Sequence, residues 1–188
     1  MTGELDFGGR TALVTGAASG IGAACARWLA EQGVQRLVLV DRDESGLAAL
    51  EPTCEVARFN GDVADPALWE RIEAETGRID HAVLNAGIGA GGPLTQTSLV
   101  EWRRVMAVNL DGAFLSLGTA LRLLVDGGSA VLTASVSGFQ AEPNTSAYGA
   151  SKAALIQLAK VAAKESAGRG IRVNPQAAFS IPRSLSLR

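Results

Sequence analysis

A chain of 188 residues, 47% hydrophobic and 19% charged with 22 glycines, has the composition of one ordinary folded domain. It can bury about 70% of its unfolded surface in a single core, and its glycine content points to many tight backbone turns. A formal net charge of −2 supplies no basic field, which argues against nucleic acid or an anionic membrane surface as a partner and leaves small molecules.

Apolar runs of strand length alternate with longer amphipathic segments, the pattern of βαβ units and a parallel sheet. The opening MTGELDFGGR has no cationic segment followed by an apolar one, and no later run reaches about 18 uninterrupted apolar residues, so a soluble cytoplasmic protein is expected. In chain order the pattern predicts a strand at Thr11–Thr15, a helix over 20–32, a strand at Arg36–Asp41, a short helix over 45–50 and a strand at Glu55–Phe59. Asp65 before Pro66 supplies an N-cap and then a residue that needs no helical N–H, which opens a helix over 66–76. A strand at Asp80–Asn85 follows. Ser98 and Glu101 have capping-box spacing and open one long helix over 98–124. The turn residues DGG at 126–128 separate it from a strand at Ala130–Ser135. A helix over 148–167 and a strand at Ile171–Asn174 complete the series. Several strands are apolar throughout, as strands covered on both faces should be. A single domain over 1–174 is expected, with 175–188 as an atypical tail.

Cys25 and Cys54 have neither metal-ligand spacing nor the density of a disulfide framework and are expected to be reduced packing residues. His81 is expected to be a strand-end residue and not a catalytic base. No metal site is expected.

The segment ALVTGAASGIGAACARWLAEQG runs strand, glycine loop, helix. Gly16, Gly20 and Gly22 let the backbone turn tightly and approach a pyrophosphate, whose charge would meet the free N–H groups of the helix start. The spacing is G-x-x-x-G-x-G, and the general fingerprint is G-x-G-x-x-G, so the loop alone is a moderate signal. Asp41 ends the next strand near the separation at which an acid reaches the adenosine ribose. A carboxylate there repels a ribose 2′-phosphate, and GAASGIG has no cation to receive one, so NAD is favoured over NADP. Arg42 is the competing feature, since a guanidinium beside the ribose can accommodate phosphate.

SAYGASKAAL places Tyr148 and Lys152 four apart, on one face of a helix. A phenol ordinarily titrates near 10, and bringing one to about 7 takes roughly 4 kcal/mol of preference for phenolate, which an ammonium and an oxidised nicotinamide can supply. Ser135 ends its strand at the carboxyl edge of the sheet, where open α/β folds bind ligands.

The glycine loop Thr15–Gly22, Asp41, GDV at 61–63, NAG at 85–87, VNL at 108–110, Ser135, and Tyr148 with Lys152 resemble the classical short-chain dehydrogenase/reductase family, in order and spacing, from about residue 8 to 174. The resemblance implies a Rossmann-like doubly wound parallel sheet flanked by helices. It implies a catalytic group in which Tyr148 exchanges a proton with the substrate oxygen, Lys152 holds the nicotinamide ribose and lowers the tyrosine pKa, Ser135 hydrogen-bonds the substrate oxygen and Asn109 holds a relay water. Gly16, Ser19, Gly20, Ile21, Gly22, Asp41, Asp62, Val63, Asn85, Ala86 and Gly87, together with Tyr148 and Lys152, would contact the cofactor. The substrate would be a small alcohol or ketone. The long helices, with Leu110, Phe114, Leu155 and Leu158, would either assemble a homodimer or homotetramer or pack inside the monomer.

In the family, the strand resembling IRVN leads to a Pro-Gly pair, a substrate loop, a helix and a last edge strand. Here Pro175 follows Asn174 at once, and only thirteen residues remain beyond it. The last strand and substrate loop are therefore expected to be missing, leaving the Ile171–Asn174 edge or its apolar face exposed and one wall of the pocket absent. The leading expectation is an NAD-dependent oxidoreductase that interconverts a secondary alcohol and a carbonyl. The alternative is a truncated relative that binds nucleotide or oligomerises with little turnover.

Overall fold

The computed structural model describes residues 7–178. Strands β1 (Thr11–Thr15), β2 (Arg36–Asp41), β3 (Glu55–Asn60), β4 (Ile79–Leu84), β5 (Leu124–Ser135) and β6 (Arg172–Ala178) form one sheet in the order β3-β2-β1-β4-β5-β6. Each neighbouring pair runs parallel. Helices α1 (Gly20–Glu31), α2 (Glu44–Ala48), α3 (Pro66–Thr76), α4 (Leu99–Met106), α5 (Gly112–Leu123) and α6 (Ser146–Ser166) fill the intervals. This is the Rossmann-like doubly wound arrangement. The strand order reverses between β1 and β4, which opens a crevice at their carboxyl ends.

Strand periodicity divides the core into two. Ala12 and Val14 of β1 and Leu37 and Leu39 of β2 pack with Ala26 and Leu29 of α1 and Leu47 of α2. The alternate residues Leu13, Val38 and Val40 face the opposite way. They pack with Leu68, Trp69 and Ile72 of α3, Leu117 and Ala120 of α5, and Leu155, Ile156 and Ala159 of α6. Both faces are therefore apolar, which is why these strands read as continuous hydrophobic runs. The two helix starts marked by caps form as expected: the Asp65 carboxylate accepts from the Ala67 N–H at 3.0 Å and the Ser98 hydroxyl from the Glu101 N–H at 3.1 Å.

Three expectations are corrected. The single helix over 98–124 is instead α4 and α5 joined by a π-helical turn at Ala107–Asp111, which carries the buried Asn109. DGG does not end the segment before β5 but lies inside that strand. Gly127 takes φ 79°, and the pairing with β4 shifts register between Ile79 and His81, so these residues form an irregularity in a ladder that resumes at Ser129. Finally, the last strand does not stop at Asn174. It continues through Pro175, which pairs with Leu132, to Ala178 opposite Ser135. Within the described residues β6 is an edge strand, where the N–H that proline lacks is least needed. Its exposed residues are Arg172, Asn174 and Gln176, whereas Ile171 and Val173 are buried, so the expected apolar exposure along this strand is not found. Of the tail expected at 175–188, residues 179–188 lie outside the described residues.

One side chain joins the two strands that flank the crevice. Thr15, buried at the end of β1, accepts hydrogen bonds at its Oγ1 from the N–H groups of Asn85 (2.9 Å) and Ala86 (3.0 Å), just beyond β4. Thr15→Val keeps the shape and strands both donors, so it should lower the unfolding free energy by about 2 kcal/mol or more. Urea titration measures this, and Thr15→Ser should recover most of the loss.

Candidate functional site

The crevice is a cleft of about 480 Å³ lined by Gly16, Ser19, Gly20, Ile21, Asp41, Asp62, Val63, Asn85, Ala86 and Gly87. All were expected there from the sequence. Arg42, Gly61, Ile88 and Val108 also line it. Gly22, Tyr148 and Lys152 are outside this lining. Gly22 supports the loop from beneath: a Cβ at that position would stand 2.0 Å from the Gly16 carbonyl oxygen. Gly16 itself has φ 65° and lies against the Ala86 backbone, so two close approaches require glycine here.

The glycine loop delivers the chain to α1, whose first residues Gly20 and Ile21 line the cleft. Ser19 is the N-cap residue, yet its side chain makes no capping hydrogen bond, so the first-turn donors are left for another acceptor. Beside the loop, the Asp41 carboxylate is held by two backbone donors, Ala18 N–H on Oδ2 at 2.9 Å and Asp43 N–H on Oδ1 at 3.0 Å. The acid is thereby fixed against the glycine loop. Asp62 closes its own turn by accepting from the Ala64 N–H at 2.9 Å, and the buried Trp69 indole donates to the Val63 carbonyl at 2.7 Å. Val63 also presses on Gly112, where a Cβ would come within 2.6 Å of it.

At the far end of the cleft Gly87 leads into a second cluster. A Cβ on Gly87 would lie 3.3 Å from Asn109 Oδ1 and 3.5 Å from Lys152 Nζ. Asn109 is fully buried; its Oδ1 accepts from the Ile88 N–H (2.8 Å), and its Nδ2 donates to the Ile88 carbonyl (3.0 Å) and to Ser151 Oγ (3.1 Å). Ser151 in turn donates to the Tyr148 carbonyl at 2.7 Å. The Lys152 ammonium donates to the Thr133 carbonyl at 2.6 Å and lies 5.7 Å from the centre of the Tyr148 ring, within cation–π range. Ser135 ends β5 two residues beyond Thr133, on the same face, and accepts from the Ser137 N–H at 3.3 Å. Asn109, Lys152 and Tyr148 are thus brought together around Gly87 and Ser151, with Ser135 at the adjoining strand end. Thr15, Thr133 and Ser151 were not singled out from the sequence. A period-2 reading of β5 would have placed Thr133 beside Ser135, but no local signal marks the other two.

A family model described as short chain dehydrogenase matches residues 10–178. The chain belongs to the short-chain dehydrogenase family. The match extends past Pro175, as the β6 ladder does. The chain is 41% identical over 184 residues to D-threitol dehydrogenase of Mycolicibacterium smegmatis, covering 91% of this chain and 70% of that protein. It resembles the crystal structure of NAD+-bound xylitol dehydrogenase with TM-score 0.85 at 34% identity, covering 92% of this chain and 71% of that one. It also resembles a short chain dehydrogenase from Burkholderia cenocepacia in complex with NADP, with TM-score 0.82 at 31% identity, covering 91% and 74%.

The cleft of this short-chain dehydrogenase fits a dinucleotide. The uncapped N–H groups of α1 suit a pyrophosphate, and Asp41 suits ribose hydroxyls. Among the described residues no cluster of three His, Cys, Asp or Glu side chains is arranged to hold a metal ion, and no helix is long and apolar enough to cross a membrane. His81 lies toward the amino end of β4, away from the crevice, with Nδ1 2.9 Å from Ser129 Oγ.

Burial lowers the Lys152 pKa from its ordinary 10.5 to about 8. The unfolded chain therefore binds more protons than the folded one between these two values, and stability from this group is lowest below pH 8 and rises toward pH 10.5. Lys152→Met removes a buried cation and should raise the unfolding free energy at pH 7 by about 1–2 kcal/mol. Urea midpoints at several pH values should show this gap closing as pH rises from 8; a gap that stayed constant would contradict the assignment.

Proposed function

We propose that the chain is an NAD-dependent oxidoreductase interconverting a secondary alcohol and a carbonyl. The observation that carries this reading is the buried Lys152 ammonium beside the Tyr148 ring, at the end of a cleft whose opposite side holds the Asp41 carboxylate. Gly16, Ser19, Gly20, Ile21 and Gly22 would seat the pyrophosphate, Asp41 the adenosine ribose, Asp62 and Val63 the adenine, and Asn85, Ala86 and Gly87 the nicotinamide side. When bound, the nicotinamide supplies the hydride acceptor or donor.

The chain's own residues handle the proton and the oxygen. The Tyr148 hydroxyl exchanges a proton with the substrate oxygen, and the Lys152 ammonium beside its ring reaches the ribose. The Ser135 hydroxyl donates to the same oxygen and stabilises charge developing on it. The Asn109 carboxamide is buried and already bonded to Ile88 and Ser151, so Asn109 acts as a positioning residue, and any relay water would be held through its main chain. Support for a small alcohol or ketone as substrate comes from relatives named as threitol dehydrogenase and meso-2,3-butanediol dehydrogenase.

NAD is preferred over NADP in this reading because the fixed Asp41 carboxylate would meet a 2′-phosphate with like charge, and among the described residues lining the cleft Arg42 is the only cation. Assembly as a homodimer or homotetramer is supported by Leu99, Val100, Phe114 and Val161, all well exposed on α4, α5 and α6. Leu155, weighed beside Phe114 as an interface residue, is instead core.

Calorimetry should give tighter binding for NAD than for NADP, and Asp41→Ala should weaken NAD about tenfold and narrow that preference. Tyr148→Phe should lower turnover of a secondary alcohol by about 10²-fold or more. Binding of NAD without turnover of any alcohol would instead favour a nucleotide-binding role. Sedimentation should find an oligomer that Phe114→Glu dissociates.

A further inference from the structure

The loop between β5 and α6 carries Ser137 and Glu142, which none of the roles above uses, in a polar row that begins at Ser135. Ser135 Oγ is 3.5 Å from Ser137 Oγ, and Ser137 Oγ is 3.3 Å from Glu142 Oε2. Both separations exceed the 2.5–3.0 Å of a well-formed O–H···O hydrogen bond. The three groups therefore form a slack row, and a hydroxyl entering between them would gain better geometry than it displaces. Ser137 and Glu142 also line a hollow of about 300 Å³ with Phe139, Thr145, Ser146 and Gly149. Gly149 directly follows Tyr148 on α6, and Ser137 links this lining to Ser135.

The charge of Glu142 gives the hollow its chemistry. None of the ion pairs among the described residues involves this carboxylate. An ionised carboxylate accepts hydrogen bonds only and repels other anions. Its oxygen stands two contacts from the hydroxyl of Ser135, within reach of a second oxygen one carbon removed from a carbinol seated on Ser135.

We infer that Glu142, acting with Ser137, is a specificity determinant that selects neutral substrates bearing a second hydroxyl adjacent to the reacting carbinol and rejects hydroxy acids. This rests on the dehydrogenase reading above, because the reacting oxygen is placed on Ser135 and Tyr148. The second hydroxyl donates to Glu142 Oε2 and accepts from Ser137 Oγ, completing the row.

The test uses the full chain and three matched compounds: 1,2-cyclohexanediol, cyclohexanol and 2-hydroxycyclohexanecarboxylate. NAD titration comes first. Absence of NAD binding overturns the dehydrogenase reading and this inference with it. On the NAD-saturated protein, calorimetric binding and kcat/KM should both favour the diol over cyclohexanol by about tenfold, the worth of one charge-assisted hydrogen bond. Glu142→Ala should bring that ratio close to one, Glu142→Gln should restore part of it, and Glu142→Lys should raise the hydroxy acid relative to the diol at least tenfold. The binding arm reads the same ratio whether or not the chain turns over. If NAD binds but the wild-type protein does not prefer the diol, or Glu142→Ala weakens all three compounds equally, the inference is overturned alone.

Discussion

The arrangement of the site depends on the carboxamide of Asn109. It is fully buried and reaches three protein groups at once, the N–H and carbonyl of Ile88 and the hydroxyl of Ser151. Those groups belong to the segment leaving β4 and to α6, so one side chain ties together the end of the cleft, the helix bearing Tyr148 and Lys152, and its own helix. A buried amide costs several hydrogen bonds if its partners move away, which makes this geometry all or none. The π-helical turn at Ala107–Asp111 is the local price of aiming that amide inward. A regular α-helical path would rotate Asn109 relative to α5, whose Ala113, Leu117 and Ala120 are anchored in the core against the sheet.

The cleft is built by the same logic of backbone held by a few fixed partners. Thr15 holds Asn85 and Ala86 against β1, Thr133 Oγ1 donates to Asn85 Oδ1 at 3.0 Å, and two backbone donors hold Asp41. The Thr133 carbonyl is also the acceptor for Lys152. Residue 133 therefore couples the cleft to Lys152, part of the proposed proton-transfer group, through its side chain on one side and its main chain on the other. Preorganisation of this kind removes reorganisation from the chemical step.

Much of the fold was legible because strand and helix starts have local chemistry: apolar runs covered on two faces, Asp65 before Pro66, Ser98 three residues ahead of Glu101. The glycine loop was legible because only glycine tolerates a carbonyl oxygen as close as Gly16 O is to Gly22. What was missed depends on tertiary partners. The amphipathic pattern over 98–124 persists through the π turn, since one widened turn barely disturbs the periodicity. DGG reads as a turn unless the neighbouring strand that absorbs the irregularity is known. Pro175 reads as a strand breaker unless the strand is known to lie at the edge of the described sheet. Thr15, Thr133 and Ser151 carry hydroxyls whose roles are set wholly by what packs against them, and hydroxyl residues in strands and helices are otherwise unremarkable in a sequence.

Lys152 shows how function and stability pull apart at this site. Its ammonium is almost completely buried and is given one carbonyl and one aromatic face in place of a carboxylate partner. A carboxylate there would lower the cost of burial, but it would also neutralise the charge beside the Tyr148 ring and offer a competing proton acceptor. Leaving the cation without an anion among the described residues keeps its field directed at the Tyr148 ring and at the end of the cleft by Gly87. The core formed by Leu155, Ile156 and Ala159 on the next turns of α6 then holds the helix in place against that local penalty. The same principle accounts for Asn109: polar groups are admitted to this interior only where neighbouring apolar packing is dense enough to fix them in one orientation.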